Sequence, residues 1–229
     1  MKQRVLVIAL LLGTFSVPAE IFSQASRAGK TVREFTYENE NPIIAASGRC
    51  DCDAVRSFLA KGVSANVRGD NDTVPLIAAS ASGCMDAVRL LLSEDANPNL
   101  RDAGGNSALM VASRHGDTDI VRLLVSHGAF VNSRDNNGNT PLIIASMYGC
   151  TDIVRLFLSR GAFINSRGEN GTTALIAASE HGHEETVSFL LKKGALVNSR
   201  RDDGLSALNV ASEGKYTEIV RILSAAGAK

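Results

Sequence analysis

Residues 138–167 read GNTPLIIASMYGCTDIVRLFLSRGAFINSR, and this one stretch carries the signals of a complete structural unit. Thr140 is a good helix N-cap, and Pro141 suits the first helical turn, where a backbone N–H has no partner to lose. Residues 142–148 then read as a short helix ended by Gly149. The spacing predicts a second helix over 151–159, with Ile153, Val154, Phe157 and Leu158 on its buried face. It stops at Gly161, which can take the left-handed conformation that ends helices. Between one helix pair and the next lies a segment such as 132–139. Its Asn137-Gly138 pair, like Asn170-Gly171, is a strong tight-hairpin signal.

Shifted on itself by 33 residues, the chain repeats this unit six times without an insertion or deletion. Pro42, Pro75, Ala108, Pro141, Ala174 and Ala207 are equivalent, and an Ala always stands four residues later (46, 79, 112, 145, 178, 211). A Val always stands thirteen residues later (55, 88, 121, 154, 187, 220). A fixed period of this length marks a solenoid of stacked supersecondary units in which each repeat buries its apolar face on its neighbours. The repeats run from about 39 to the end, so the expected organisation is one array over 39–229.

With these caps, glycines and hairpin signals in phase, the chain resembles an ankyrin-repeat protein over 39–229. The resemblance implies an all-α solenoid of helix-turn-helix units with β-hairpin or loop fingers. It also implies binding of a protein partner through a concave face, and no enzyme activity. Where the family usually has a His two residues after the Pro, this chain has Ile44, Ile77, Met110, Ile143, Ile176 and Asn209, which predicts a drier core. The Ser that follows five residues after the Pro in every repeat (47, 80, 113, 146, 179, 212) is expected to bond back to a carbonyl one turn earlier.

Balanced charge narrows the choice of partner. The 24 basic and 24 acidic residues cancel, which disfavours a nucleic-acid partner, because that affinity comes largely from phosphate neutralisation. No nucleic acid and no cofactor are expected. His115, His127, His181 and His183 show no metal-ligand spacing, and no nucleophile or phosphate-loop motif is present, so no catalytic or metal site is assigned.

The first residues have another character. Lys2 and Arg4 precede an apolar run over 5–12, and small residues follow at Ala19 and Ala25, the outline of a secretory signal peptide over 1–25. Cleavage after Ala19 and after Ala25 both fit. Residues 26–38 are expected to form an N-terminal linker or cap, 31–40 to shield the first repeat, and the sixth repeat to act as the C-terminal cap. The apolar run is too short for a comfortable span, so the mature form is expected to be periplasmic or secreted, monomeric and free of membrane.

Two Arg columns invite a functional reading. Arg56, Arg89, Arg122, Arg155 and Arg221 each follow an acid by three residues, the spacing of paired neighbours on an exposed back face. Arg68, Arg101, Arg134, Arg167 and Arg200 fall one per hairpin, where they either brace neighbouring hairpins or form a basic strip. The resemblance places the hairpin tips and the sixth and seventh residues after each Pro position on the concave face. The candidate protein-binding residues are therefore Arg114, His115, Arg134, Asn137, Met147, Tyr148, Arg167, Glu180 and His181, centred on Tyr148. Partners that fit include an exported enzyme such as a cell-wall hydrolase held inhibited, another exported protein held protected, or a host protein met by a secreted effector. Of the cysteines, Cys50 or Cys52 is placed to pair with Cys84 in the adjacent repeat, with Cys52–Cys84 the pair chosen, and Cys150 is expected to stay unpaired.

Overall fold

The computed structural model describes residues 41–229. The leader over 1–25, the linker over 26–38 and the shield over 31–40 lie outside the described residues. Twelve α-helices fill the described stretch as six pairs: α1 (Pro42–Gly48) with α2 (Cys52–Ala60), α3 (Pro75–Ala81) with α4 (Met85–Ser93), and α5 (Ala108–His115) with α6 (Thr118–Ser126). Then come α7 (Pro141–Met147) with α8 (Thr151–Ser159), α9 (Ala174–Glu180) with α10 (Glu184–Lys192), and α11 (Ala207–Glu213) with α12 (Thr217–Ala225).

Helices of this length do not hold in water on their own, so each is secured by its cap and by burial. The hydroxyls of Ser107, Thr140, Thr173 and Ser206 accept from the N–H of the third residue of the first helix, and Asn41 Oδ1 accepts from that of the second, Ile43. Val74 occupies that column in the second repeat and caps nothing. The Ala column is wholly buried in all six repeats, and the Val column in the first five. In α8, Ile153, Val154 and Phe157 are buried as expected, but Leu156 takes the place predicted for Leu158, which lies half-exposed at the edge of the stripe.

The first helices pack closely against one another in a row, while the second helices touch their neighbours more sparsely. Alanines at 45, 46, 78, 79, 177 and 178 let the first-helix axes approach, whereas Leu, Ile and Phe hold the second helices apart. An inner row packed more tightly than the outer one makes the first helices the concave side. At the C-terminal end Leu208 and Val220 become half-exposed, and Glu213, Lys215 and Ser224 face solvent.

Ile44, Ile77, Met110, Ile143 and Ile176 are buried, in keeping with a dry core, while Asn209 closes a capping box with Ser206. Three members of the Ser column bond back as expected, Ser47 to Ile43 O at 2.7 Å, Ser113 to Leu109 O at 2.6 Å and Ser212 to Leu208 O at 2.8 Å. The buried hydroxyls of Ser80, Ser146 and Ser179 make no such bond.

The fingers contain no strand among the described residues, only isolated antiparallel bridges at Arg101–Ser107 and Arg200–Ser206. Their turns fall into two kinds. Where Gly69 and Gly168 follow the finger Arg, both central residues are left-handed: Asn71 with Asp72, and Asn170 with Gly171. Where Asp102, Asp135 or Arg201 follows instead, a turn of the same length closes through the N–H of Gly105, Gly138 or Gly204, and that glycine alone has positive φ. Asn170-Gly171 therefore forms the turn its sequence signals, whereas in Asn137-Gly138 only the glycine has positive φ.

The disulfide joins Cys50 to Cys84, with Cα atoms 5.2 Å apart, and Cys52 is free, which corrects the Cys52–Cys84 expectation. The reason is a repeating contact at an offset of 34 residues. The residue closing the turn after each first helix faces the residue just ahead of the next repeat's second helix, and Cys50 stands in the column otherwise held by Gly83, Gly116, Gly149 and Gly182. A Cβ placed on Gly149 would lie 2.4 Å from the His183 ring, and one on Gly116 would lie 3.3 Å from Cys150 Sγ. Cys52, already the first residue of α2, is outside that column.

Candidate protein-binding face

The fingers are tied to one another through two ladders. Each finger Arg donates to the backbone carbonyl of the equivalent Arg in the next finger: Arg68 to Arg101 O at 3.0 Å, Arg101 to Arg134 O, Arg134 to Arg167 O at 2.7 Å and Arg167 to Arg200 O at 2.7 Å. The tips add backbone bonds of their own, Ala103 N–H to Asn71 O at 2.8 Å, Asn136 N–H to Gly104 O at 3.1 Å and Asp202 N–H to Asn170 O at 2.9 Å. At the finger roots an Asn column repeats the device. Asn132 Nδ2 donates to Gly161 O at 3.1 Å and its Oδ1 accepts from Phe163 N–H at 3.0 Å, with matching contacts from Asn66, Asn99 and Asn198. A finger held at both tip and root loses little freedom when a partner lands on it.

On the concave row Tyr148 caps α7 and leaves 39 % of its surface exposed, while Met147 beside it is half-buried and its carbonyl accepts from His183 Nε2–H at 2.9 Å. Arg114 reaches Asn106 Oδ1 at 3.4 Å, and His115 is exposed at the end of α5. His181 is exposed, its Nδ1 3.0 Å from Ala177 O. Asn137 projects from a fingertip whose backbone is fixed by Asp135 Oδ1 at 2.9 Å. Glu180 accepts from Arg201 at 2.9 Å, and the same guanidinium reaches Asp203 at 3.1 Å.

Arg134 and Arg167 are committed to the ladder, and Arg167 also pairs with Asp202 at 2.7 Å. Of the two readings of this column, bracing is therefore what the geometry displays. On the opposite side Arg56 pairs with Asp53 at 3.2 Å, Arg155 with Asp152 at 3.8 Å and Glu185 at 3.2 Å, and Arg221 with Glu218 at 2.9 Å. These are exposed pairs, each worth about 0.5 kcal/mol or less.

Electrostatics at the face follow from these partners. Burial opposes the charge on Arg201, but hydrogen bonds to the Glu180 and Asp203 carboxylates outweigh it and hold the guanidinium above its usual range. Asp203 is lowered, first by the Leu205 N–H that it accepts and then by Arg201. Burial, with Asp86 beside Cys52 and Asp117 beside Cys150, pushes both free thiols up, so neither is poised as a nucleophile.

Concavities are shallow. Two adjoining recesses of about 280 Å³ lie between the starts of the second helices, one lined by Gly116, Cys150, Asp152 and Glu185 and the other by Gly182, His183 and Glu184. Among the described residues no group of three or more His, Cys, Asp or Glu could hold a metal ion. An extended row of anchored fingers beside a Tyr-Met pair is a surface that suits another macromolecule better than a small ligand.

Two columns escaped the sequence reading. The Asn column at 66, 99, 132, 165 and 198 was present at the same 33-residue shift as the Ala column, and its constancy was the available signal. The exposed apolar residues Phe130, Phe163 and Leu196 also share one column, and their signal was an apolar side chain in a turn rather than in a helix. A family model described as ankyrin repeats, three copies, matches residues 10–102, 76–168 and 161–229. Comparison with curated proteins finds no match.

Proposed function

We propose, for a chain that belongs to the ankyrin-repeat family and is therefore a protein–protein interaction module, that the middle repeats bind an exported protein through the concave face and cover its functional surface. Binding centres on Tyr148 with Met147, Arg114, His115, His181 and the Asn137 fingertip around them, while Arg134 and Arg167 keep the fingers in register. The observation that carries this reading is the exposure of Tyr148 on a row whose neighbouring fingers are already bonded to each other. A large rigid side chain on a preorganised support is what an interface centre requires.

The export half of the proposal is supported by the charged, apolar and small residues over 2–25. Within that compartment the mechanism is occlusion: a preformed, non-catalytic surface blocks an exported enzyme such as a cell-wall hydrolase. Fractionation followed by N-terminal sequencing should find a form starting at Glu20 or Ser26 outside the cytoplasm, and capture on the purified array from that fraction should retain an enzyme whose activity falls on binding. A full-length chain confined to the cytosol removes the export half. A captured enzyme that stays fully active replaces occlusion with scaffolding.

A further inference from the structure

Phe130, Phe163 and Leu196 stand in one column of three consecutive repeats, and they are 64, 67 and 60 % exposed. Stacked helix pairs repeat at about 10 Å, so the three side chains form a row roughly 20 Å long. Scattered exposed apolar residues are ordinary, but three in register are not scattered. Their backbones are fixed: the N–H groups of Phe130, Phe163 and Leu196 donate to Asn99, Asn132 and Asn165 at 2.8, 3.0 and 2.9 Å. The other members of the column are Ser64, Asn97 and Lys229, so the apolar row is confined to the third, fourth and fifth repeats.

The charges around the row have one sign. Residues 126–134, 159–167 and 192–200 contain no acid; Arg160, Lys192 and Lys193 stand at the ends of the second helices, while Arg134, Arg167 and Arg200 are held in the fingers, Arg167 against Asp202. In the second repeat, where the column residue is polar, Glu94 and Asp95 stand in the corresponding positions. Arg160 and Lys193, three residues before Phe163 and Leu196, also complement the C-termini of their second helices, but that role needs no Phe or Leu beside it.

We propose that this row seats the array on an anionic lipid bilayer, with Phe130, Phe163 and Leu196 entering the headgroup boundary and the flanking Lys and Arg meeting lipid phosphates. A second copy of the chain is disfavoured, because two such rows would bring like charges together. A protein partner is less suited as well, since the row projects from exposed turns, whereas a fluid surface asks only for projecting apolar groups and cations. No described helix is long and apolar enough to cross a membrane, and a peripheral contact needs none. The expectation of a membrane-free mature form is thereby revised, since it rested only on the lack of a span.

The test is co-sedimentation of the full chain with phosphatidylcholine vesicles and with vesicles containing phosphatidylglycerol, for the native sequence and for the triple variant F130S/F163S/L196S. Both proteins keep the same first 40 residues, so a difference between them belongs to the row. The native chain should partition to the anionic vesicles at least about tenfold more than the variant, and should leave them as salt is raised. R160E/K193E, which keeps the apolar groups, should lose binding to anionic vesicles by a similar factor and so stands in if the triple variant fails to fold. Equal partitioning of native chain and variants, equal binding to neutral vesicles, or a native dimer that the triple variant dissolves would each overturn the proposal.

Discussion

The first and last junctions of the array meet the same packing requirement with opposite chemistry. Between the first and second repeats the contact at an offset of 34 residues is a covalent bond, Cys50 to Cys84. Between the fifth and sixth it is the ring of Tyr216 lying against Gly182, where a Cβ would come within 2.5 Å of the ring. The intervening junctions use a carboxylate, a thiol and an imidazole at the same place: Gly83 with Asp117, Gly116 with Cys150 and Gly149 with His183. A solenoid thus sets which positions touch and leaves open what fills them. Both ends leave part of their core columns open: Ala54 and Phe58 are half-buried at the stapled end, and Leu208 and Val220 at the ring-packed end.

Breaking the ring-packed end should have the largest effect. Deleting 207–229 removes α11, α12 and the half-exposed cap, and lays open the apolar faces of α9 and α10. We expect aggregation, or a Tm lower by roughly 10 °C or more, in a thermal melt followed by light scattering. An unchanged melt would show that the sixth repeat does not cap the array.

Breaking the stapled end comes next. A 34-residue separation closed by a disulfide is worth about 4 kcal/mol in the chain-entropy description. Cys84→Ser should therefore lower the unfolding free energy read from a denaturant melt by up to about that amount, and added reductant should do the same to the native chain. Cys52→Ser, outside the contact column, should leave it unmoved.

Copying the staple inward is a sharper check of the shared register. Gly116 has φ +77°, close to the +60° of Cys50, and its missing Cβ would face Cys150 Sγ. Gly116→Cys should pair with Cys150, so that thiol titration finds one free thiol, Cys52, where an unpaired variant would show three.

The smallest effect concerns Asp117 in the same column, whose carboxyl is pushed above the usual range by burial, with His115 opposing. An acid raised in the folded state is penalised when ionised, so its cost appears as pH rises through the carboxylate range and is absent below it. Asp117→Asn should raise Tm at neutral pH by no more than about 2 °C, with the gain vanishing in acid.

What could be read in advance was whatever recurs within one repeat. The Ala and Val columns, the cap at Thr140 and the stops at Gly149 and Gly161 follow from local spacing, and each is found where expected. What escaped depends on contacts between repeats. Cys50 and Cys52 are two residues apart, and only the offset of 34 distinguishes them. The finger Arg column could equally face a partner or a neighbour, until the carbonyl of the next finger is placed within 2.7 Å of Arg134 and Arg167. Phe130 and Phe163 passed as ordinary apolar residues because period alone does not tell a buried turn from an open one.

The central claim is that the concave side of the middle repeats carries binding and the back face does not. It is tested most directly by measuring the affinity of the captured exported partner for Tyr148→Ala and for Arg122→Ala, with the melting temperature of each variant recorded alongside. The account predicts a loss of about 2 kcal/mol in affinity for Tyr148→Ala at nearly unchanged stability, and a change within about 0.5 kcal/mol for Arg122→Ala. A silent Tyr148→Ala beside an Arg122→Ala that abolishes binding would move the interface to the second helices and contradict it.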